Sequence, residues 1–111
     1  MNLQISGQRM EVTAPIREFV EKKLVRINRH FDHVIDTRIV LSAEPKRHRA
    51  EITMRVPGKD LHCESVQEDL YAAIDVLMDK ADRKVIDYKN KMKSRSHESI
   101  KRQIIDEDAD N

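Results

Sequence analysis

The sequence is poor in the residues from which several familiar kinds of site are built. Its 111 residues include one cysteine, two glycines and no tryptophan. A single cysteine, Cys63, excludes an internal disulfide and favours a reducing compartment. Because the glycines are Gly7 and Gly58, far apart in the chain, there is no glycine-rich loop of the kind that cradles phosphates. Disulfide scaffolds and nucleotide-binding loops are therefore excluded.

Long hydrophobic runs and aromatic residues are also scarce. No apolar run approaches the ~20 residues that a membrane-spanning helix needs. The first residues, MNLQISGQRM, lack the basic start and the apolar core of a signal peptide. Aromatic residues make up 4% of the chain, which leaves few rings to stack on unpaired bases. We therefore predict a cytoplasmic protein that has no membrane partner and does not recognise nucleic acid by base stacking.

Patterns typical of catalysis or metal binding are missing as well. His62 and Cys63 are adjacent, but neighbours in a strand point to opposite faces, so they cannot form a base–nucleophile dyad. Cys63 is instead predicted to be a small core residue. His30 and His33 have no second pair of ligands at the usual spacing. We predict no enzymatic activity, no small-molecule substrate, no metal site and no cofactor.

What the sequence has in abundance is charge, distributed unevenly. Charged residues make up 37% of the chain, yet the formal net charge is only +1. Residues 80–102 hold nine Lys/Arg against three Asp/Glu, a net charge of +6, whereas residues 103–111 hold four acids and no base. The near-neutral total therefore hides a basic region, and the local field is what a polyanion would meet.

Hydrophobic patterning predicts four strands and two helices in the order β-α-β-β-β-α. Apolar residues alternate with polar ones over residues 2–6, 34–42, 50–56 and 60–64, as in half-buried strands. A right-handed crossover makes the first two strands parallel, and the others form a meander. Since only one face of this sheet is apolar, both helices should pack on that face. The predicted fold is a two-layer α+β domain with a four-stranded mixed sheet.

The two predicted helices carry apolar stripes at steps of three and four residues. The first opens with Thr13 and Pro15, and the second, longer one spans residues 65–93, with Ser65 and Glu68 at capping-box spacing. The stripes consist of Ile16, Val20, Leu24, Ile27 and Phe31 in the first helix and of Leu70, Ile74, Leu77, Ala81, Val85, Tyr88 and Met92 in the second. We divide the chain into a domain over residues 1–93 and a disordered tail over residues 94–111.

Beside these stripes, both helices carry exposed positive charge. The cations are Lys22, Lys23, Arg26 and Arg29 in the first helix and Lys80, Arg83, Lys84 and Lys91 in the second. On the second helix, Asp75, Asp79 and Asp82 fall on the flank opposite the lysines. Two neighbouring helices would present the cations as one continuous ridge. Such a ridge predicts strong, salt-dependent contacts with the phosphate backbone of folded RNA.

Several segments resemble the bacterial hibernation-promoting factors and ribosome-associated translation inhibitors. The most specific is EDLYAAID over residues 68–75, followed by Leu77, Asp79-Lys80 and Arg83. The start of the chain also resembles this family. The matching segments there are residues 1–7, Glu11-Val12-Thr13, Ile16-Arg17-Glu18-Phe19-Val20 and Arg29-His30-Phe31-Asp32. The similarity extends from residue 1 to about residue 93.

The resemblance implies a function. Members bind the small ribosomal subunit at the decoding region, block the binding of messenger and transfer RNA, and inhibit translation in stress or stationary phase. Ribosomal RNA of the small subunit would be the main partner of this chain, with ribosomal proteins as further candidates. The resemblance assigns the RNA-binding role to the eight helix cations named above.

The length of the chain resembles the short forms of the family, which lack a second, dimerising domain. We therefore expect a monomer off the ribosome. Asp106-Glu107-Asp108-Ala109-Asp110 resembles the short type that opposes ribosome dimers, whereas the segment over residues 70–75 is nearer the type that promotes them. The sequence therefore leaves open whether this chain promotes or opposes the pairing of ribosomes. From the residues alone, a stand-alone double-stranded-RNA binder or RNA chaperone is the main alternative, and a protein–protein adaptor is a third.

Overall fold

A computed structural model describes the backbone of residues 2–101 and the side chains of residues 2–92. Its elements follow the predicted order. They are β1 (Asn2–Gln8), α1 (Ala14–His30), β2 (Asp36–Glu44), β3 (Arg47–Val56), β4 (Lys59–Gln67) and α2 (Leu70–Lys101). Among the described residues, no helix is both long enough and apolar enough to cross a membrane.

The four strands form one mixed sheet in the order β1-β2-β3-β4. β1 pairs in parallel with β2, and the other two pairs are antiparallel. This arrangement confirms the predicted parallel pairing of the first two strands and the predicted meander, and it leaves β1 and β4 at the two edges of the sheet. The predicted α+β fold is therefore confirmed.

One face of the sheet is apolar and carries the core. Ile39, Leu41, Ile52 and Met54 of the central strands are fully buried. They belong to a single cluster with the predicted apolar stripe of α1 and with α2 residues such as Ile74. The alternate strand residues lie on the opposite side, which we call the open face. Gln4, Arg38, Thr53 and His62 form one row across it, in register.

The two hairpins of the meander have two-residue turns, each with a backbone in the left-handed region. Pro57 and Gly58 connect β3 to β4, and Gly58 has a φ of 87°. Proline followed by a residue with positive φ is typical of a type II turn. Pro45 and Lys46 connect β2 to β3 in the same way, but here Lys46 has the positive φ, 68°. A lysine in this region has a steric cost that glycine lacks.

The start of α2 differs from the prediction. Ser65 lies in β4, and the helix begins at Leu70. The cap is Asp69, whose Oδ2 accepts a hydrogen bond from the Ala72 N–H at 2.9 Å. The predicted capping box of Ser65 and Glu68 is therefore wrong, because β4 continues through Gln67 in register with β3.

The end of α2 also lies beyond the predicted boundary. The helix continues to Lys101, whereas the sequence predicted an end at Lys93. Residues 102–111 of the predicted tail lie outside the described part of the chain. The division into a domain and a disordered tail stays a prediction.

Candidate nucleic-acid interface

The long helix α2 has two flanks of opposite charge on either side of its buried stripe. Ile74, Leu77, Ala81 and Val85 are fully buried against the sheet. Asp75, Asp79 and Asp82 lie on one side of this stripe, and Lys80 and Lys84 lie on the other. The last described turns depart from this sorting: Asp87 lies on the basic side, and Lys89 donates a hydrogen bond to the His30 carbonyl oxygen of α1. The structure shows what each flank faces: the acids face α1, and the lysines face the edge strand β4.

The acidic flank meets α1 in a row of ion pairs that we call the interhelical seam. Lys23 Nζ lies 2.6 Å from Asp75 Oδ1, and Arg26 Nη2 lies 2.7 Å from Asp79 Oδ1. At the next turn Asp82 accepts two partners: its Oδ2 lies 3.7 Å from Arg26 Nε, and its Oδ1 lies 2.7 Å from His30 Nδ1. The seam therefore pairs Asp75, Asp79 and Asp82 of α2 with side chains of α1.

Hydrogen bonding within the seam shifts the acid–base equilibria of its central pair. The hydrogen bond from Arg26 lowers the pKa of Asp79 below its ordinary value. The same hydrogen bond to Asp79 raises the pKa of Arg26. Both groups are thus held in their charged forms, and the cation of Arg26 already has a partner before any RNA arrives.

The basic flank lies over β4, where two lysines donate hydrogen bonds to backbone carbonyls. Lys80 Nζ donates to the Glu64 carbonyl oxygen at 3.0 Å, and Lys84 Nζ donates to the His62 carbonyl oxygen at 3.1 Å. Because β4 is an edge strand, these carbonyls would otherwise face solvent or another chain. The lysines therefore shield the edge of the sheet and are themselves fixed in position.

Between α2 and β4 runs a shallow groove with a volume of about 470 Å³. We call it the α2–β4 groove. Its lining residues are His62, Cys63, Glu64, Lys80, Arg83, Lys84 and Asp87. An ammonium group has three donors, so each lysine that binds one carbonyl keeps two donors for another acceptor. The groove is therefore equipped to bind an anion such as a phosphate of RNA.

The thiol in this groove is not a nucleophile poised for chemistry. Cys63 is buried on the helix side of β4, and His62 points to the open face. Burial raises the pKa of the Cys63 thiol, and the nearby Lys84 and Lys80 only partly offset that effect. A buried thiol with a raised pKa is a core residue, as the sequence predicted.

The structure divides the eight predicted RNA-binding residues into two groups. Lys23 and Arg26 belong to the interhelical seam. The other six are exposed and form no ion pair with any of the side chains described for residues 2–92. They are Lys22, Arg29, Lys80, Arg83, Lys84 and Lys91. The predicted continuous ridge is thus interrupted by the acids, because the acidic flank of α2 faces α1 and does not point away from it.

Comparison with known proteins identifies relatives of this architecture. The sequence pattern of the Sigma 54 modulation protein / S30EA ribosomal protein family matches residues 3–93. A ribosome hibernation promoting factor of Pseudomonas putida is 39% identical over 94 residues, which cover 85% of this chain and 92% of that protein. The protein of the same name from Escherichia coli is 37% identical over 93 residues, covering 84% of this chain and 98% of that protein.

Solved structures have the same fold. The N-terminal domain of Protein Y from Thermus thermophilus superposes with a TM-score of 0.74 at 39% identity, covering 79% of this chain and 99% of that one. A ribosomal subunit interface protein from Coxiella burnetii superposes with a TM-score of 0.77 at 27% identity, covering 81% and 99%. Since the family pattern spans almost all of the folded region and these relatives are matched over nearly their whole lengths, the chain belongs to the Sigma 54 modulation protein / S30EA ribosomal protein family.

Proposed function

We propose that this chain is a cytoplasmic ribosome hibernation factor that inhibits translation in stress or stationary phase without catalysing a reaction. It binds the small ribosomal subunit at the decoding region and excludes messenger and transfer RNA by occupying their space. The names of its relatives, ribosome hibernation promoting factor and ribosomal subunit interface protein, support this proposal. Off the ribosome, the chain is a monomer.

The observation that carries the proposal is the sorting of charge on α2. All three acids of one flank are paired with α1, so they do not repel an approaching polyanion from the basic flank. Lys80, Arg83 and Lys84 of the basic flank line an open groove and keep unused hydrogen-bond donors. Of the two acids in the same lining, Glu64 is paired with Arg49, so Asp87 is the acid that the cations outnumber. A surface of this kind binds the RNA backbone through its phosphates and does not need to recognise a base sequence.

Within this proposal, the eight predicted RNA-binding residues have two different roles. The six exposed cations contact phosphates: Lys22 and Arg29 from α1, and Lys80, Arg83, Lys84 and Lys91 from α2. Lys23 and Arg26 act indirectly, since their ion pairs hold the two helices side by side. Removing either Lys23 or Arg26 would mainly alter how the two helices are positioned. It would have a smaller effect on the number of phosphates that the protein contacts.

The test is a charge reversal in the α2–β4 groove with a matched reversal elsewhere. Arg83→Glu together with Lys84→Glu should weaken binding to purified small subunits by at least about tenfold and flatten the salt dependence by about one unit for each lost contact. The loss of stability should not exceed about 1.5 kcal/mol, because both positions are exposed and the hydrogen bond that is lost is the one from Lys84 to the His62 carbonyl oxygen. Arg38→Glu together with Arg55→Glu is the control, since it changes net charge equally on the open face.

Three results would contradict the proposal in different ways. Equal loss in both double variants would mean that only net charge matters and that the groove is not the site. Unchanged affinity in the groove variant would move the site off α2. If the unaltered chain bound a generic RNA duplex as tightly as it bound small subunits, the double-stranded-RNA binder or RNA chaperone would be the better description.

A further inference from the structure

A group of potential metal ligands lies on the open face, on the side of the sheet away from the helix layer. Glu51 of β3 lies directly opposite Glu64 of β4, and His62 lies two residues before Glu64 on the same face. Directly paired residues on one face of an antiparallel sheet have their Cβ atoms about 5 Å apart. The register therefore brings one imidazole and two carboxylates together, although the sequence separates Glu51 from the other two.

The distances within this group approach those of a coordination sphere. His62 Nε2 lies 3.6 Å from Glu64 Oε2 and 4.0 Å from Glu51 Oε1. One ligand atom from each of the three residues lies within 4.8 Å of the other two. Ligands bound to Zn²⁺ at about 2.0–2.1 Å in a tetrahedron are about 3.3–3.4 Å apart. Small side-chain adjustments would therefore bring the three atoms into position around one ion.

Neighbouring side chains orient two of these ligands. The hydroxyl of Thr53 lies 3.0 Å from His62 Nδ1. When Nδ1–H donates to that oxygen, the lone pair of Nε2 faces the two carboxylates, which is the tautomer that a metal requires. Arg49 Nη1 donates to Glu64 Oε1 at 2.6 Å, so the other oxygen, Oε2, is the one turned toward His62. Oriented ligands with partners of their own are typical of metal sites.

We propose that Glu51, His62 and Glu64 form a binding site for Zn²⁺. His62 Nε2 and one oxygen from each glutamate supply three ligands, and water fills the fourth position because the group lies on an open surface. The imidazole favours Zn²⁺ over Mg²⁺ or Ca²⁺, which prefer all-oxygen sites. The two carboxylates offset the charge of the ion, and Arg49, which pairs with Glu64, is shared with Glu44 outside the site.

A metal here would join β4 to β3. His62 and Glu64 are also the residues whose carbonyl oxygens accept hydrogen bonds from Lys84 and Lys80. The same strand segment thus carries the metal ligands on one side and anchors the basic flank of α2 along its edge. Binding of Zn²⁺ would stabilise this edge strand, and the proposal does not depend on any ribosomal role of the chain.

Calorimetric titration of the full chain with zinc chloride tests the site, with NMR to locate the ion. We expect one Zn²⁺ per chain, a rise in the midpoint of thermal unfolding, and amide shifts centred on Glu51, His62 and Glu64. His62→Gln and Glu51→Gln should each weaken binding by at least about tenfold, and Thr53→Val, which removes the orienting hydroxyl, should also weaken it about tenfold.

His33→Gln is the matched control, because His33 is an exposed histidine beside a carboxylate, Asp32, and outside the proposed site. It should bind Zn²⁺ like the unaltered chain. The proposal is overturned if the unaltered chain binds no Zn²⁺, if His62→Gln binds it with unchanged affinity, or if His33→Gln removes the binding. Circular dichroism of each variant in the absence of metal confirms that it is folded.

Discussion

Two polar residues only four positions apart, Ser65 and Asp69, have opposite energetic roles. Asp69 caps α2 by accepting the Ala72 N–H at 2.9 Å. Ser65 is 3% exposed, and its hydroxyl makes no hydrogen bond with the described part of the protein. A cap satisfies a backbone donor that the helix leaves unpaired, whereas a buried hydroxyl without a partner contributes nothing comparable. Residue type alone would not distinguish them.

At the residue scale we therefore predict that Asp69→Ala lowers the free energy of unfolding by about 1 kcal/mol through loss of the cap. Ser65→Ala should leave it unchanged or raise it, because the substitution removes a buried hydroxyl that has no partner among the described residues. Urea unfolding followed by circular dichroism measures both. The reverse pattern, with a loss of about 1 kcal/mol for Ser65→Ala and none for Asp69→Ala, would restore the capping box that the sequence suggested and contradict the observed start of α2.

At the scale of elements, local periodicity predicts the buried face of each helix and does not predict which flank meets its neighbour. The stripe Ile16, Val20, Leu24 and Ile27 is buried as predicted, because spacing along one helix fixes its apolar face. The side of α2 on which α1 packs depends on the order of the whole sheet. For this reason the sequence identified the acids of α2 and missed the seam that they form with α1.

For the seam we predict a measurable coupling between its central residues. Arg26→Gln, Asp79→Asn and the double variant form a cycle whose coupling energy should be about 0.2–1 kcal/mol, as both side chains are roughly half exposed. Urea unfolding at pH 7 provides the values. Lys22→Gln with Asp79→Asn is the control cycle and should be additive, since Lys22 forms no ion pair with the described side chains. Equal coupling in the two cycles would mean that the Arg26 pair has no specific role.

The same pair should weaken in acid. The hydrogen bond from Arg26 lowers the pKa of Asp79 in the folded state. The stabilisation that this hydrogen bond gives the folded protein is therefore fully present above the ordinary carboxyl pKa of 3.8. The effect is lost as the pH falls through the lower folded-state pKa. We therefore expect the stability difference between the unaltered chain and Arg26→Gln to shrink below about pH 4. A difference that stays constant from pH 7 to pH 2.5 would contradict the assignment.

At the scale of the whole molecule, what the sequence predicts depends on how far apart the interacting residues are in the chain. The element order and the mixed sheet follow from patterns within single segments and were predicted. The group of Glu51, His62 and Glu64 requires the exact pairing of β3 with β4, so a search for ligand spacing along the chain does not find it. The α2–β4 groove likewise depends on β4 being the edge strand.

Charge at the scale of the whole chain leads to a last prediction, on residues 103–111, which lie outside the described structure. Deleting them removes four acids and no base, and changes the formal net charge from +1 to +5. If the helix cations alone bind ribosomal RNA, the shortened chain should bind small subunits more tightly at low salt, because long-range repulsion is removed.

This gain should disappear as salt rises, since separated surface charges are screened beyond about 10 Å at 0.1 M. Sedimentation of the full and shortened chains with small subunits over a series of salt concentrations measures the effect. Replacing the four acids, Asp106, Glu107, Asp108 and Asp110, with their amides is the matched control, and it should reproduce the deletion without shortening the chain. Weaker binding by the deletion, but not by the amide variant, would mean that the segment itself contacts the ribosome.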